Sequence, residues 1–223
     1  MLQNIHISKI NNLPEYIFAE VSSFKMDLRR RGEDIIDFSM GNPDGATPKH
    51  IIDKLIEASQ NPKNHGYSSS IGIYKLRLAI CEWYKRKYDV DLDPESEAVV
   101  SMGSKEGYVH LVQAISNPGD VAIVPEPTYP IHAYAFMIAG VNARKVEIEF
   151  NDKFDLDEDD LLDKIGRAIK ESVPTPRFIV INFPNNPTTV TASVQFYEKI
   201  VALAKKEKLI IISDIRSEER RVG

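Results

Sequence analysis

The stretch Phe178-Ile-Val-Ile-Asn-Phe-Pro-Asn-Asn-Pro-Thr-Thr189 decides how the rest of the chain is read. Its apolar, largely β-branched run from Phe178 to Ile181 stops at a proline- and asparagine-rich turn, the pattern of a strand buried on both faces of a parallel sheet. A second run, Leu209-Ile-Ile-Ile-Ser-Asp-Ile215, carries Asp214 where it leaves the sheet. Ligands of open α/β sheets bind outside the carboxyl ends of their strands, so Asn186 and Asp214 are offered to one crevice.

Outward from these runs, strand and helix alternate. Strands are expected at 98–101, 121–124, 144–148, 178–182 and 209–213, and helices at 107–116, 130–139, 156–171 and 193–206. That alternation predicts an α/β fold, a largely parallel sheet with helices on both faces. Ahead of it, helices are expected at 11–31, stopped by Gly32, at 48–59, and in the segment Ile73-Tyr-Lys-Leu-Arg-Leu-Ala-Ile-Cys-Glu-Trp-Tyr84, with a short strand at Asp34–Ser39.

The composition limits the function classes. At 223 residues, 43% hydrophobic and 27% charged, the chain is an ordinary globular protein with room for a sizeable core. A net charge of −5 argues against a nucleic-acid surface. No apolar run reaches the roughly 20 residues that span a bilayer, and the start lacks a signal-peptide layout, so the cytoplasm is the expected location. A single cysteine, Cys81, excludes an intrachain disulfide, and the five histidines have no metal-ligand spacing. The acidic run Asp155-Leu-Asp-Glu-Asp-Asp-Leu-Leu-Asp163 lacks the glycine and terminal glutamate of a calcium loop and reads as a solvated helix start.

The turn Met102-Gly-Ser-Lys-Glu-Gly107 joins a strand to a helix. Free N–H groups and the helix dipole favour phosphate there, with Gly103 allowing close approach and Ser104 and Lys105 supplying amides and a hydroxyl. Neither the Gly-x-x-x-x-Gly-Lys-Ser/Thr nor the Gly-x-Gly-x-x-Gly nucleotide fingerprint is present. In Pro125-Glu-Pro-Thr-Tyr-Pro130, two prolines flank and stiffen a loop that holds Tyr129 at another strand end.

Asn186-Pro187-Thr188 followed by Ser213-Asp214 resembles the cofactor signature of the fold type I, class I/II pyridoxal-phosphate aminotransferases. The resemblance covers nearly all of the first 215 residues. Gly-Ser-Lys-Glu-Gly, Pro-Thr-Tyr-Pro-Ile-His and Phe-Pro-Asn-Asn-Pro-Thr look most like bacterial alanine aminotransferases and LL-diaminopimelate aminotransferases. It implies that pyridoxal 5'-phosphate is the cofactor and that an amino acid and a 2-oxo acid are the substrates. Asp214 would keep the ring nitrogen protonated by charge pairing, Asn186 would bond the phenolate oxygen, and Tyr129 would stack on the ring. Gly103, Ser104 and Lys105 would seat the phosphate. Gly41, in Met40-Gly-Asn-Pro-Asp44, would line the substrate carboxylate. Tyr67, ahead of Gly72 and Leu76-Arg77, would reach the phosphate of a neighbouring subunit, which implies a homodimer.

The resemblance also implies departures. Ser217 stands where the family has a tyrosine, and the Schiff-base lysine and substrate-carboxylate arginine belong to segments beyond residue 223. The expectation is an amino-terminal portion: 1–46 from the small domain, 47–215 from an incomplete cofactor-binding domain, and 216–223 a non-native tail resembling adapter read-through. Such a fragment is expected to be inactive by itself. An LL-diaminopimelate aminotransferase, a carbon-sulfur lyase on the same scaffold and a non-catalytic ligand-binding module are the alternatives.

Overall fold

The computed structural model describes residues 13, 14, 16–39, 41 and 45–215. Ser217 and the expected tail at 216–223 lie outside them. The chain divides into two compact units, Pro14–Ser101 and one that includes the described residues from Met102 onward. No helix among the described residues is long and apolar enough to cross a membrane.

In the first unit, α1 (Ile17–Arg30) stops at Gly32, which takes φ +79°, as expected from the sequence. No strand follows at Asp34–Ser39, contrary to expectation. Asp37 instead accepts bonds from the N–H and hydroxyl of Ser39, at 2.9 and 2.6 Å, and from Lys25 Nζ at 2.9 Å. Local side-chain bonds of this kind compete with a strand ladder. They also hold the Asp37 carboxyl well below the usual carboxylate range, the Ser39 hydroxyl contributing most and Lys25 next.

Two further helices, α2 (Lys49–Ser59) and α3 (Tyr74–Tyr88), are joined through a 3-10 turn at Pro62–Asn64. Ahead of α3 the backbone of Ile71 and Gly72 lies against Val100, whose N–H donates to the Ile71 carbonyl at 3.0 Å. A Cβ on Gly72 would come within 2.4 Å of the Val100 Cβ, and its φ of +88° is one that other residues rarely adopt. Both crowding and conformation therefore demand glycine there. Val100 belongs to the expected strand 98–101, which the structure does not form. That bond to Ile71 takes the place of a ladder, and a strand exists only beside another strand.

The second unit is the alternating part of the chain. Its elements are α4 (Ser104–Ile115), β1 (Val121–Glu126), α5 (Ile131–Ala139), β2 (Asn142–Glu147), α6 (Glu158–Glu171), β3 (Phe178–Ile181), α7 (Val194–Glu207) and β4 (Ile210–Ser213). All pairings among these four strands are parallel and their order is β2-β1-β3-β4, with Ala122 opposite Phe178 and Phe178 opposite Ile210. The chain thus leaves β1 toward one neighbour and returns to its other side at β3, a topological switch point.

The strand side chains alternate between two cores. Ala122, Val124, Phe178, Val180 and Ile212 pack with Tyr108 and Val112 of α4 and Phe136 of α5. Ile123, Ile179 and Ile181 face Leu161, Ile165 and Ile169 of α6 and Phe196 and Ile200 of α7. The period of two on the strands meets helical stripes at i, i+4 and i+8, so both sheet faces are covered. Side chains such as Phe178, Ile179, Val180 and Ile181, at most 1% exposed, each contribute about 1.5–3 kcal/mol. The acidic run starts α6 as expected: Asp157 caps it by accepting from the Asp160 N–H at 3.1 Å, with Glu158, Asp159 and Asp160 in the first turn.

Candidate active site

The carboxyl ends of β1, β3 and β4 present three segments to one region of the second unit. Asp214 follows β4 directly, and its N–H continues the ladder by donating to the Ile181 carbonyl at 3.0 Å. Its side chain is 12% exposed, and Oδ2 lies 2.9 Å from Nε2 of His132, a residue with no exposure in the first turn of α5. The other ring nitrogen, Nδ1, is 2.6 Å from the Thr128 hydroxyl. A threonine hydroxyl donating to Nδ1 leaves the proton on Nε2, where it donates to the carboxylate. Among the described residues, Oδ1 of Asp214 takes no hydrogen bond, so one carboxylate oxygen is anchored and the other is open.

Around this anchor the aromatic rings are ordered. Tyr108 of α4 lies 5.3 Å from the His132 ring, between centroids, and its hydroxyl donates to the His132 carbonyl at 3.3 Å. Burial, and then the charge of Asp214, push the Tyr108 phenol well above its ordinary range. The Tyr129 ring stands edge-on to His132 at 6.1 Å, and Lys105 Nζ sits 5.1 Å from the Tyr129 ring centroid.

The segment after β3 is pinned by its asparagines. Buried Asn185 donates from Nδ2 to the Pro127 carbonyl at 3.2 Å, and its Oδ1 accepts from the N–H and hydroxyl of Thr188 at 3.1 and 2.7 Å. Asn182, also buried, bonds toward both Asn186 and Asp214. Asn186 itself is exposed at the tip.

At the start of α4, Gly103 holds the N-cap position with φ +90°, followed by Ser104 and Lys105, all exposed. Nothing stands within 4 Å of a Cβ built on Gly103, so conformation and not crowding selects glycine here. Glu106 reaches back to the Met102 N–H at 3.0 Å, which fixes the turn.

An unbroken series of contacts therefore joins Lys105, Tyr129, His132, Asp214, Asn182 and Asn186. A profile described as aminotransferase class I and II matches residues 33–215. The chain belongs to the class I and II aminotransferase family.

Glutamate-pyruvate aminotransferase AlaC of Escherichia coli is 49% identical over 208 residues, covering 93% of this chain and 49% of that protein. An LL-diaminopimelate aminotransferase of Aquifex aeolicus is 39% identical over 206 residues, 92% of this chain and 51% of its own length. Among solved aminotransferases, a single mutant of the Thermus thermophilus aspartate enzyme superposes with a TM-score of 0.85 at 27% identity, covering 96% of this chain and 53% of that one. The chain spans about half the length of the curated relatives it matches. It is an amino-terminal portion of the aminotransferase fold.

Of the residues singled out in the sequence, Gly103, Ser104, Lys105, Tyr129, Asn186 and Asp214 all lie in the second unit. Tyr67, fully exposed, and Gly41, also exposed, lie in the first. Met40 and residues 42–44 are outside the described residues. Sequence reasoning missed His132, Thr128, Tyr108, Asn182 and Asn185. Thr128 and His132 stand four positions apart across a helix start, a spacing that brings two side chains together and was available as a signal.

Proposed function

We propose that this chain is the cofactor-binding portion of an aminotransferase that uses pyridoxal 5'-phosphate to exchange amino groups between glutamate and pyruvate. The observation that carries it is Asp214: a carboxylate with one oxygen anchored on His132 and the other open, just beyond the carboxyl end of β4, the edge strand beside β3. An acid so placed suits a pyridine N–H, because a nearby negative charge favours the protonated ring. The fit extends along the site. The exposed helix start at Gly103–Lys105 suits a phosphate, Tyr129 offers a ring for stacking, and Asn186 offers an amide for the phenolate oxygen.

When bound, pyridoxal phosphate supplies an electron sink that lets an amino group pass between an amino acid and a 2-oxo acid. The protein's part is to hold that geometry. Asp214 keeps a proton on the ring nitrogen, and His132, oriented by Thr128, holds the Asp214 carboxylate aimed. Gly41 lines the carboxylate of the substrate. Full exposure of the Tyr67 ring supports its use by a second subunit in a cytoplasmic homodimer. The glutamate–pyruvate pairing rests on the 49% identity to AlaC, and LL-diaminopimelate as donor is the second reading, resting on the relatives of that name.

The test is product formation by the full-length gene product supplied with glutamate, pyruvate and the cofactor. Alanine and 2-oxoglutarate are expected, whereas the 223-residue chain alone leaves the mixture unchanged. A preference for LL-diaminopimelate would select the second reading. Pyruvate released from cysteine without any acceptor would indicate a carbon-sulfur lyase.

A further inference from the structure

Asn186 and Asp214 come from different strand ends, and no bond joins one directly to the other among the described residues. Asn182 does so indirectly. It is the first residue beyond β3, 9% exposed, and its Nδ2 donates to the Asp214 carbonyl at 2.8 Å. Its Oδ1 accepts the Asn186 N–H at 3.1 Å. The two partners fix the orientation of the amide, since a carbonyl only accepts and an N–H only donates.

We propose that Asn182 is a positioning residue whose single carboxamide sets the spacing between Asn186 and Asp214, the residues assigned to the phenolate oxygen and the ring nitrogen of the cofactor. The proposal rests on the reading given under Proposed function. Asp214 is then gripped at both backbone groups, its N–H by Ile181 and its carbonyl by Asn182. A carboxamide suits the task because it carries a donor and an acceptor on one carbon, 120° apart. Aspartate offers no donor at neutral pH, glutamine adds a methylene, and alanine offers neither group. The bracket also links loop to strand. Asn186 lies on a turn at the surface, and the bond from its N–H to a buried side chain ties that turn to the sheet edge.

The experiment uses the full 223-residue chain, labelled with 15N and 13C, as wild type, Asn182→Ala and Asn182→Asp. In the wild type the Asn186 amide exchanges slowly. Asn182→Ala speeds its exchange about tenfold or more and shifts the 13C resonance of the Asp214 carbonyl, in line with loss of buried hydrogen bonds. Asn182→Asp keeps the acceptor, so Asn186 stays protected to within about threefold while the Asp214 carbonyl still shifts. Should Asn182→Ala not fold, that split in Asn182→Asp decides alone.

Pyridoxal phosphate affinity, measured by equilibrium dialysis with Asp214→Asn alongside, reads the functional consequence. Loss of affinity in both Asn182→Ala and Asp214→Asn supports the proposal. Unchanged exchange and carbonyl signals in a folded variant overturn it, as does undiminished affinity in Asn182→Ala when Asp214→Asn binds weakly. If the signals respond but affinity ignores Asp214→Asn, the cofactor reading has failed and the positioning role falls with it.

Discussion

The two units of this chain use the same amphipathic helices to different ends. In the second unit, the stripes of α6 and α7 meet strand side chains and disappear from solvent. In the first, Ile51, Ile52, Leu55 and Ile56 of α2 share a helical spacing, yet all four are exposed, and Arg77 and Cys81 are the buried side chains among the described residues. A stripe stabilises only when something lies against it, so similar patterns carry different energies in the two units. The site follows the packing: the contacts from Lys105 to Asn186 all lie on the unit whose sheet is covered on both faces. A rigid support of that kind holds polar groups in fixed positions.

The contrast is tested most strongly by truncating one apolar side chain in each unit. Phe136→Ala, at a site with no exposure between α4 and the sheet, should cost about 3–5 kcal/mol in urea unfolding. Leu55→Ala on α2 should stay within about 0.5 kcal/mol. Comparable losses at both positions would erase the distinction.

A smaller effect cuts the other way. Gly72→Ala should cost about 1–3 kcal/mol in the first unit, through φ +88° and the approach of Val100, although little apolar surface is buried there. Recovery in a Gly72→Ala/Val100→Gly double variant, which removes the Cβ that the new methyl would meet, would separate crowding from conformation.

The smallest expected effects lie at the two ends of the pH scale. The Asp37 carboxyl is depressed in the folded state, so the stability it adds is present above the unfolded value, near 3.8, and is lost as pH falls through the folded one. The Tyr108 phenol is raised, so its contribution is complete below the unfolded value, near 10.0, and is lost as pH rises through the folded one. Acid should therefore loosen the Lys25–Asp37 latch of the first unit, and alkali the Tyr108–His132 contact of the second. Amide exchange at Ser39 and at His132 reads each, and Tyr108→Phe should remove the alkaline dependence.

Much of the second unit was legible because its signals are local. β-branched runs marked β3 and β4, the acidic run from Asp155 marked the start of α6, and a polar tip after an apolar run marked the crevice. The strands expected at 34–39 and 98–101 failed because a strand is defined by its neighbour, and Asp37 bonds Ser39 and Lys25 while Val100 bonds the non-strand backbone of Ile71. His132 was passed over because histidines were weighed for metal spacing, while its partner Asp214 is 82 positions away. Asn182 and Asn185 read as turn formers, and nothing in a turn's composition says which carbonyl a side chain will reach.

The central claim is that Asp214 keeps a pyridine nitrogen protonated. It is tested most directly by the 15N resonance of ring-labelled pyridoxal phosphate bound to the chain at pH 8. The account predicts a pyridinium signal in the wild type and a neutral pyridine signal in Asp214→Asn. A neutral ring in the wild type, or a pyridinium that survives the substitution, would contradict it.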